Sequence, residues 1–271
     1  VRSCDWNAGP GIVKRPHFSA AMLSVIVLSV VVCTWFSLHI HAPLCTIEAH
    51  PLYVAALEYS PDGRWLLSAG TIDQSVKLWN SQTGELAYLL KPKAGVTCAT
   101  FAPDSLTVAI GLKCNEVVLW NLRSSSSRVL FHHPDDGVTS LAISRDGVKL
   151  VCGGCRGTIA LCYLNDKLPL QSWSVGDAEV RTLAFRPSGE ELIAGTDDGR
   201  ILLFSLHDEH LHEPRLVAKI GMPVQRVSIS TNGDFLAVEA DSPDQGLLQM
   251  FDMRSLTRLW SIDGSVCPSG I

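Results

Sequence analysis

The sequence predicts an all-β fold, a β-propeller of four-stranded blades, because one segment recurs at a fixed interval with one hydrophobic pattern. The residues that open the shared polar turn of five segments are spaced by 42, 42, 42 and 44 positions. Short strands that repeat about every 40–45 residues are typical of propeller blades. The segments are VAALEYSPDGRWLLSAG (54–70), VTCATFAPDSLTVAIG (96–111), VTSLAISRDGVKLVCGG (138–154), VRTLAFRPSGEELIAG (180–195) and VQRVSISTNGDFLAVEA (224–240).

Each unit is predicted to form four strands. The first alternates between apolar and smaller or polar residues, as a half-buried strand does. A polar turn such as SPDG follows, and then a near-continuous apolar run that suits a strand covered on both faces. The third strand ends in an aromatic residue in four of the five units, and a fourth strand follows a polar loop. A β-sandwich with evenly spaced hairpins is the alternative, and the fixed spacing makes it the weaker one.

The first unit resembles a WD40 repeat. That family has a His before the first strand, a Ser or Thr on the second, an Asp in the next turn and a Trp ending the third. The matching residues are His50, Ser68, Asp73 and Trp79. The resemblance implies a structural tetrad hydrogen-bonded across the blade, which would satisfy a buried imidazole and indole. A His, an Asp and a Ser could also form a hydrolase triad, but the tetrad already accounts for each, so we predict no catalytic residue.

The other units keep less of the motif. Unit two retains Trp120, and Cys114 stands at its Asp position. The resemblance covers residues 44–263 and implies a non-catalytic scaffold for protein–protein contacts, without identifying the partner. The remaining departures are Arg156 and Cys162 in unit three, Asp198 and Phe204 in unit four, and Phe251 with a longer turn at 240–246 in unit five.

The propeller is predicted to be an incomplete ring, because the family usually closes with more than the five repeats visible here. An open arc would expose sheet faces and edges. The segment LCTIEAH (44–50) is predicted to be a fourth strand that leads into the first unit. The predicted organisation is a flexible segment at 1–19, an apolar segment at 20–40, propeller repeats at 44–263 and a tail at 264–271.

An uncharged apolar stretch precedes the repeats. Residues 20–38 are 19 residues without a charge, which just reaches the length of a membrane-spanning helix. Lys14 and Arg15 flank one end and Trp35 lies near the other, as expected at membrane interfaces. We predict a transmembrane helix or signal anchor. The alternatives are a buried β segment or translated non-coding sequence upstream of Met22.

Composition bears on the compartment and on nucleic-acid binding. The net charge is −5 with no basic stripe, so no nucleic-acid partner is expected. The nine cysteines are an odd number, and several lie within strands, as in a reducing compartment. Basic residues favour the cytosolic side of a membrane, so the basic flank before the apolar segment would instead leave the N-terminus in the cytosol and place the propeller on the opposite side. Because the resemblance favours an intracellular propeller, we predict a cytoplasmic protein, associated with a membrane if residues 20–38 form a single N-terminal span.

Two clusters carry metal-ligating residue types, and neither has the features of a site. Cys152 and Cys155 form a CxxC with Cys162 further on, but a zinc site would need a fourth ligand. A second run lies where a polar loop is expected, so a solvated loop is the simpler interpretation. We predict no cofactor and no metal. The second run comprises His207, Asp208, His210, His212 and Glu213.

A partner is predicted to bind the face on which the turns after the second strands meet the segments that lead into the first strands. Loops on a rigid scaffold carry recognition residues, and aromatic and arginine side chains are common anchors. The expected partners are other proteins or peptides. The candidate residues are Tyr53, Lys113, Arg156, Arg181 and Arg200.

Two narrower functions stay open. One is a membrane-anchored, Sec12-like guanine nucleotide exchange factor for a small GTPase, although such proteins carry the anchor after the propeller. The other is a substrate-receptor or adaptor subunit of a ubiquitin ligase complex, which binding of an acidic peptide to the arginine-bearing face would support.

Overall fold

The computed structural model describes residues 46–135, 137–164, 170–207, 210–242 and 245–265. The chain divides into two compact units, residues 1–46 and 47–271, and the propeller lies in the second. The predicted segments 1–19 and 20–40, and the tail from residue 266 onward, lie outside the described residues. Those residues contain strands and no helix, so no helix able to cross a membrane occurs among them.

The strands form five antiparallel sheets, and each sheet is one blade. Blade 1 contains β1 (Val54–Tyr59), β2 (Trp65–Gly70), β3 (Ser75–Asn80) and β4 (Leu86–Leu90). Blade 2 contains β5 (Val96–Phe101), β6 (Thr107–Leu112), β7 (Glu116–Asn121) and β8 (Ser126–His132). Blade 3 contains β9 (Val138–Ile143), β10 (Lys149–Gly154), β11 (Thr158–Tyr163) and β12 (Gln171–Ser174).

Blades 4 and 5 repeat the arrangement. Blade 4 contains β13 (Val180–Phe185), β14 (Glu191–Thr196), β15 (Arg200–His207), β16 (His210–Leu211) and β17 (Arg215–Lys219). Blade 5 contains β18 (Val224–Ile229), β19 (Phe235–Ser242), β20 (Gln245–Asp252) and β21 (Thr257–Ser265). The first strand of each blade packs against the first strand of the next, so these five are the inner strands of the arc.

The core lies between the blades, because the second strands of the three central blades are covered on both faces. Ile110 packs in the cluster shared with blade 1, and its neighbour Ala109 packs in the cluster shared with blade 3. Leu192 and Ile193 divide in the same way between blades 3 and 5. Four clusters of this kind join the five blades in sequence. Successive side chains of a strand point to opposite faces, so burial of both faces requires the near-continuous apolar runs, and the predicted all-β propeller is confirmed.

Three segments differ from the sequence prediction. Residues 46–50 form no strand; they instead carry His50 to the turn after β2. The predicted long turn at 240–246 is narrower, because β19 and β20 pair as far as Ser242 and Gln245. In blade 4, β16 pairs with the end of β15. Hairpin pairing satisfies backbone groups that a longer loop would leave to water.

The two terminal blades expose apolar side chains. On β1, Leu57 and Tyr59 have 67% and 61% of their surface exposed. On blade 5, Phe235 and Ile262 are 40% and 59% exposed. Among the described residues, no further blade covers these two faces.

Candidate partner-binding face

The predicted face forms one edge of the arc, which we call the upper edge. In each of blades 2 to 5 a backbone N–H at or just beyond the end of the second strand donates to a carbonyl that precedes the inner strand. These bonds bring the turns and the inner-strand entries together, as the repeat pattern predicts. They join Lys113 N to Gly95 O (3.0 Å), Cys155 N to Gly137 O (3.3 Å), Asp197 N to Glu179 O (3.0 Å) and Asp241 N to Pro223 O (3.2 Å).

The structure brings the four tetrad residues of blade 1 together at this edge. Asp73 Oδ2 lies 2.8 Å from His50 Nδ1, and His50 Nε2 lies 2.9 Å from Ser68 Oγ. The Trp79 indole N–H donates to the same Ser68 oxygen at 2.8 Å. A carboxylate only accepts hydrogen bonds, so the His50 proton lies on Nδ1 and the Ser68 hydroxyl donates to Nε2. The chain of bonds therefore runs from Trp79 through Ser68 and His50 to Asp73.

This network has the properties of a structural brace. Burial would raise the pKa of Asp73, but hydrogen bonds from Ser75 and His50 outweigh it and hold the pKa below its ordinary value. Ser75 Oγ donates to Asp73 Oδ2 at 2.7 Å. The Ser68 side chain is 1% exposed, so its hydroxyl has no access to a substrate. The arrangement is unsuited to nucleophilic catalysis, which needs a reachable nucleophile.

Blade 3 supplies the missing carboxylate from another position, which the sequence prediction did not anticipate. Arg156 occupies the expected Asp position, but Asp135, from the segment before β9, accepts from the backbone N–H groups of Arg156 (3.0 Å) and Thr158 (3.1 Å). Asp135 and His133 fill the space beside Gly154, as Asp73 and His50 fill the space beside Gly70 in blade 1. The signal in the sequence was the His-Pro-Asp triplet ahead of a unit that lacks its turn Asp.

Burial and hydrogen bonding act on this pair in opposite directions. Burial would raise the pKa of Asp135, but bonds from Thr158 and the Arg156 backbone lower it below its ordinary value. Burial is the main cause of the lowered pKa of His133. The His133 side chain accepts from the Asp135 backbone N–H at 3.1 Å on Nδ1. His133 and Asp135 are therefore a neutral base and an anion that brace the upper edge of blade 3.

The candidate residues of the partner-binding face differ in exposure. Tyr53 is 75% exposed, and Lys113 and Arg156 are also exposed. Arg200 forms an ion pair with Asp198, with Nε 2.7 Å from Oδ2. All of them lie in or next to the turns of the upper edge.

Arg181 is held in a polar row that crosses from blade 4 to blade 5. Its Nη1 donates to Gln225 Oε1 at 2.9 Å, and Gln225 in turn donates to Asp241. Glu179 lies 3.9 Å from Arg181 Nη2. Arg181 and Gln225 both follow the first valine of an inner strand, so the repeat places them side by side. The repeat pattern indicates Arg181 as a candidate but not its partner Gln225, because the two contacting residues are 44 positions apart.

The members of the two metal-ligating patterns differ in burial and in hydrogen-bond partners. Cys152 is buried and Cys155 is exposed, and burial raises the pKa of the Cys152 thiol well above its ordinary value. His212 Nε2 lies 3.2 Å from the His207 carbonyl oxygen, and His210 Nδ1 lies 3.1 Å from Gln171 Oε1. Asp208 lies outside the described residues. Within those residues no group of three or more His, Cys, Asp or Glu side chains is arranged to hold a metal ion.

The comparisons with known proteins agree with this architecture. The family model "WD domain, G-beta repeat" matches residues 41–80, 124–161 and 169–205. The second match begins just before β8, the fourth strand of blade 2, and ends in β11, the third strand of blade 3. The third match begins just before β12, the fourth strand of blade 3, and ends in β15, the third strand of blade 4. The sequence repeat is therefore offset by one strand from the blade, so that each repeat links two blades.

Relatives and solved structures match most of the repeat region. The chain is 30% identical over 153 residues to "WD repeat-containing protein 26 homolog" of Drosophila melanogaster, covering 53% of this chain and 24% of that protein. It is 29% identical over 175 residues to "WD repeat-containing protein SL1-17" of Schistosoma mansoni, covering 64% and 57%. The chain thus spans less than two thirds of either relative.

A solved structure shares the fold at low sequence identity. The β-propeller domain of Cps50 (Swd1) from Myceliophteria thermophila superposes with a TM-score of 0.68 at 20% identity, covering 80% of this chain and 75% of that one. At this identity the likeness concerns the fold alone. The three matched repeats and the five observed blades identify the chain as a WD40-repeat β-propeller protein.

Proposed function

We propose that the chain is an interaction scaffold that binds other proteins or peptides through its upper edge. The observation that carries the proposal is a group of exposed apolar side chains in the loops of blade 1. Leu52 and Tyr53, just before β1, are 62% and 75% exposed, and Ile72, in the turn after β2, is 54% exposed. Exposed apolar side chains on braced loops are typical of protein-binding sites.

The charges of the upper edge favour a partner of mixed charge. Arg156 is exposed on blade 3, whereas Arg200 lies against Asp198, whose pKa falls below its ordinary value because hydrogen bonds from Thr196 and Arg200 outweigh burial. Basic and acidic groups thus both lie along the edge. Nucleic acid, which needs a continuous basic surface, fits this arrangement poorly.

The proposal is tested by comparing the proteins captured by matched variants in cells. Leu52→Ser and Arg156→Glu alter the upper edge, and Leu259→Ser and Arg64→Glu make the same changes at exposed positions elsewhere. Loss of the same partners from both upper-edge variants, with retention by both controls, is the expected result. Partners that all four variants retain equally would overturn the assignment of the upper edge.

The captured partners also decide between the narrower functions. A small GTPase whose nucleotide exchange the chain accelerates would support the exchange-factor alternative, and subunits of a ubiquitin ligase would support the adaptor alternative. Nothing in the geometry of the upper edge favours either one.

We also propose a cytoplasmic location with membrane attachment through residues 20–38, on the length and charge-free character of that stretch. The test is alkaline carbonate extraction of membranes from cells that express the full chain. Retention in the pellet supports attachment, and release into the supernatant contradicts it.

A further inference from the structure

One position of the repeat carries a small residue, alanine or glycine, in four blades and a charged residue in the fifth. Each inner strand has a β-bulge directly after its first valine, where the pairing with the second strand shifts by one residue. The position in question is the second-strand residue that pairs just past this bulge, on the face toward the next blade. In blades 1 to 5 the occupants are Ala69, Gly111, Gly153, Gly195 and Glu239.

The small residue is needed because a valine of the next blade packs directly onto it. A Cβ added to Gly153 would lie 2.6 Å from Val180 Cγ1, and one added to Gly195 would lie 2.5 Å from Val224 Cγ1. Gly111 and Val138 make the same contact, and Ala69 and Val96 share the cluster between blades 1 and 2. The four valines, Val96, Val138, Val180 and Val224, are all 0% exposed.

Blade 1 carries the equivalent valine on the face that no other blade covers among residues 46–265, the part of the chain that the structure describes with short gaps. Val54 opens β1 at the same register position, but it is 47% exposed. A second contact between neighbouring blades, from a turn glycine to a proline ring, is also missing in blade 1. Additional Cβ atoms on Gly147 and Gly233 would lie 3.7 and 3.0 Å from proline rings of the preceding blade, whereas one on Gly63 would meet nothing within 4 Å.

The free faces of blades 1 and 5 are therefore the two halves of the interface that joins neighbouring blades. A second copy could present its blade 5 to Val54 of the first copy, and such a head-to-tail contact would repeat from copy to copy. Both faces expose apolar side chains, including Leu57 on blade 1 and Leu248 and Ile262 on blade 5. The position that would receive Val54 holds Glu239, with Arg226 opposite it on β18.

We propose that Glu239 prevents two copies of the chain from joining head to tail. The atoms of its side chain beyond Cβ would occupy the space that the valine needs, and its carboxylate would be removed from water, which is costly for a charge. An alanine would remove both obstacles, because Ala69 occupies the equivalent position in the packed interface between blades 1 and 2.

The test compares Glu239→Ala with Glu190→Ala in the full chain by sedimentation velocity over a range of concentrations. Glu190 is exposed in the turn before β14, so both variants lose one exposed carboxylate. We expect the weight-average mass of Glu239→Ala to rise with concentration to at least twice the 29.4 kDa of one chain. The wild type and Glu190→Ala should show no comparable rise.

A second substitution identifies the surface that receives blade 5. Val54→Glu added to Glu239→Ala should restore the concentration dependence of the wild type, since a charge then stands on the other side of the contact. The proposal is overturned if Glu239→Ala sediments like the wild type at every concentration, or if Val54→Glu leaves its association unchanged. Circular dichroism verifies that each variant keeps its β structure.

Discussion

At the residue scale, the blades are braced by buried polar groups whose chain positions vary while their spatial role is kept. Asp73 follows β2 in blade 1 and Asp135 precedes β9 in blade 3, yet both lie beside the glycine that ends a second strand. A buried polar group needs a partner in space and not at a set distance along the chain. Loss of the turn Asp from unit three therefore does not mean loss of the brace.

Asp135→Ala should lower the free energy of unfolding by about 1–3 kcal/mol, because two backbone N–H groups lose their acceptor. Adding Arg156→Asp returns a carboxylate to the turn and should recover part of that loss. Urea unfolding of the wild type and of both variants measures the difference. A double variant no more stable than Asp135→Ala would show that the carboxylate acts only from its own position.

Glu58 should make the stability of the chain depend on pH. Burial is the main cause that raises the pKa of Glu58 above its ordinary value of 4.5, despite hydrogen bonds from Thr100 and the Phe101 N–H. Its stabilising contribution is therefore fully present below the unfolded pKa and is lost as the pH rises through the folded pKa. Glu58→Gln should thus gain stability relative to the wild type as the pH rises above 4.5.

The check is the free energy of unfolding of both proteins at a series of pH values. Glu190→Gln removes an exposed carboxylate and controls for the change in net charge. A difference between Glu58→Gln and the wild type that stays constant or shrinks with rising pH would contradict the assignment.

At the element scale, the spacing of the blades depends on close contact between second strands and inner strands. Gly153 and Val180 show the requirement: the strand can approach only because the glycine has no side chain. Glycine weakens an isolated strand, so its presence at three equivalent strand positions reflects tertiary packing and not strand propensity.

Gly153→Ala should destabilise the fold by about 1–3 kcal/mol, the usual cost of overpacking a core. Gly246→Ala is the matched control, because its nearest contact at 3.9 Å leaves room for a methyl group. Thermal unfolding of the two variants measures the contrast. Equal melting temperatures would mean that the blades can shift apart without cost.

At the scale of the whole molecule, the extensive contacts between blades in the described part of the chain join blades that are neighbours in sequence. Stability in such arrays is approximately a sum of repeat and nearest-neighbour terms. Blades 2, 3 and 4 are covered on two faces, whereas blades 1 and 5 each have one free face within the described residues. The terminal blades should therefore open more readily than the central ones.

Hydrogen exchange measured by mass spectrometry tests this expectation with strands that are equivalent in the repeat. The amides of β1 should exchange at least about tenfold faster than those of β9, since local opening requires fewer buried contacts to break. Both are six-residue inner strands paired to a second strand, so they differ mainly in the neighbouring blade. Equal protection would show that the free face of blade 1 is covered in solution.

The sequence alone determined the repeat, the four-strand blade and the two-sided burial of the second strands in the central blades, because periodicity and hydrophobic alternation are local properties. In blade 5 one face of β19 is exposed. It also placed His50, Ser68, Asp73 and Trp79 in one blade. Tertiary structure decided which polar groups meet. Asp135 acts for the missing turn Asp of unit three, Arg181 meets Gln225 from 44 positions away, and Glu239 stands where a glycine receives a valine elsewhere. These relations depend on distances between blades, which a pattern along the chain does not contain.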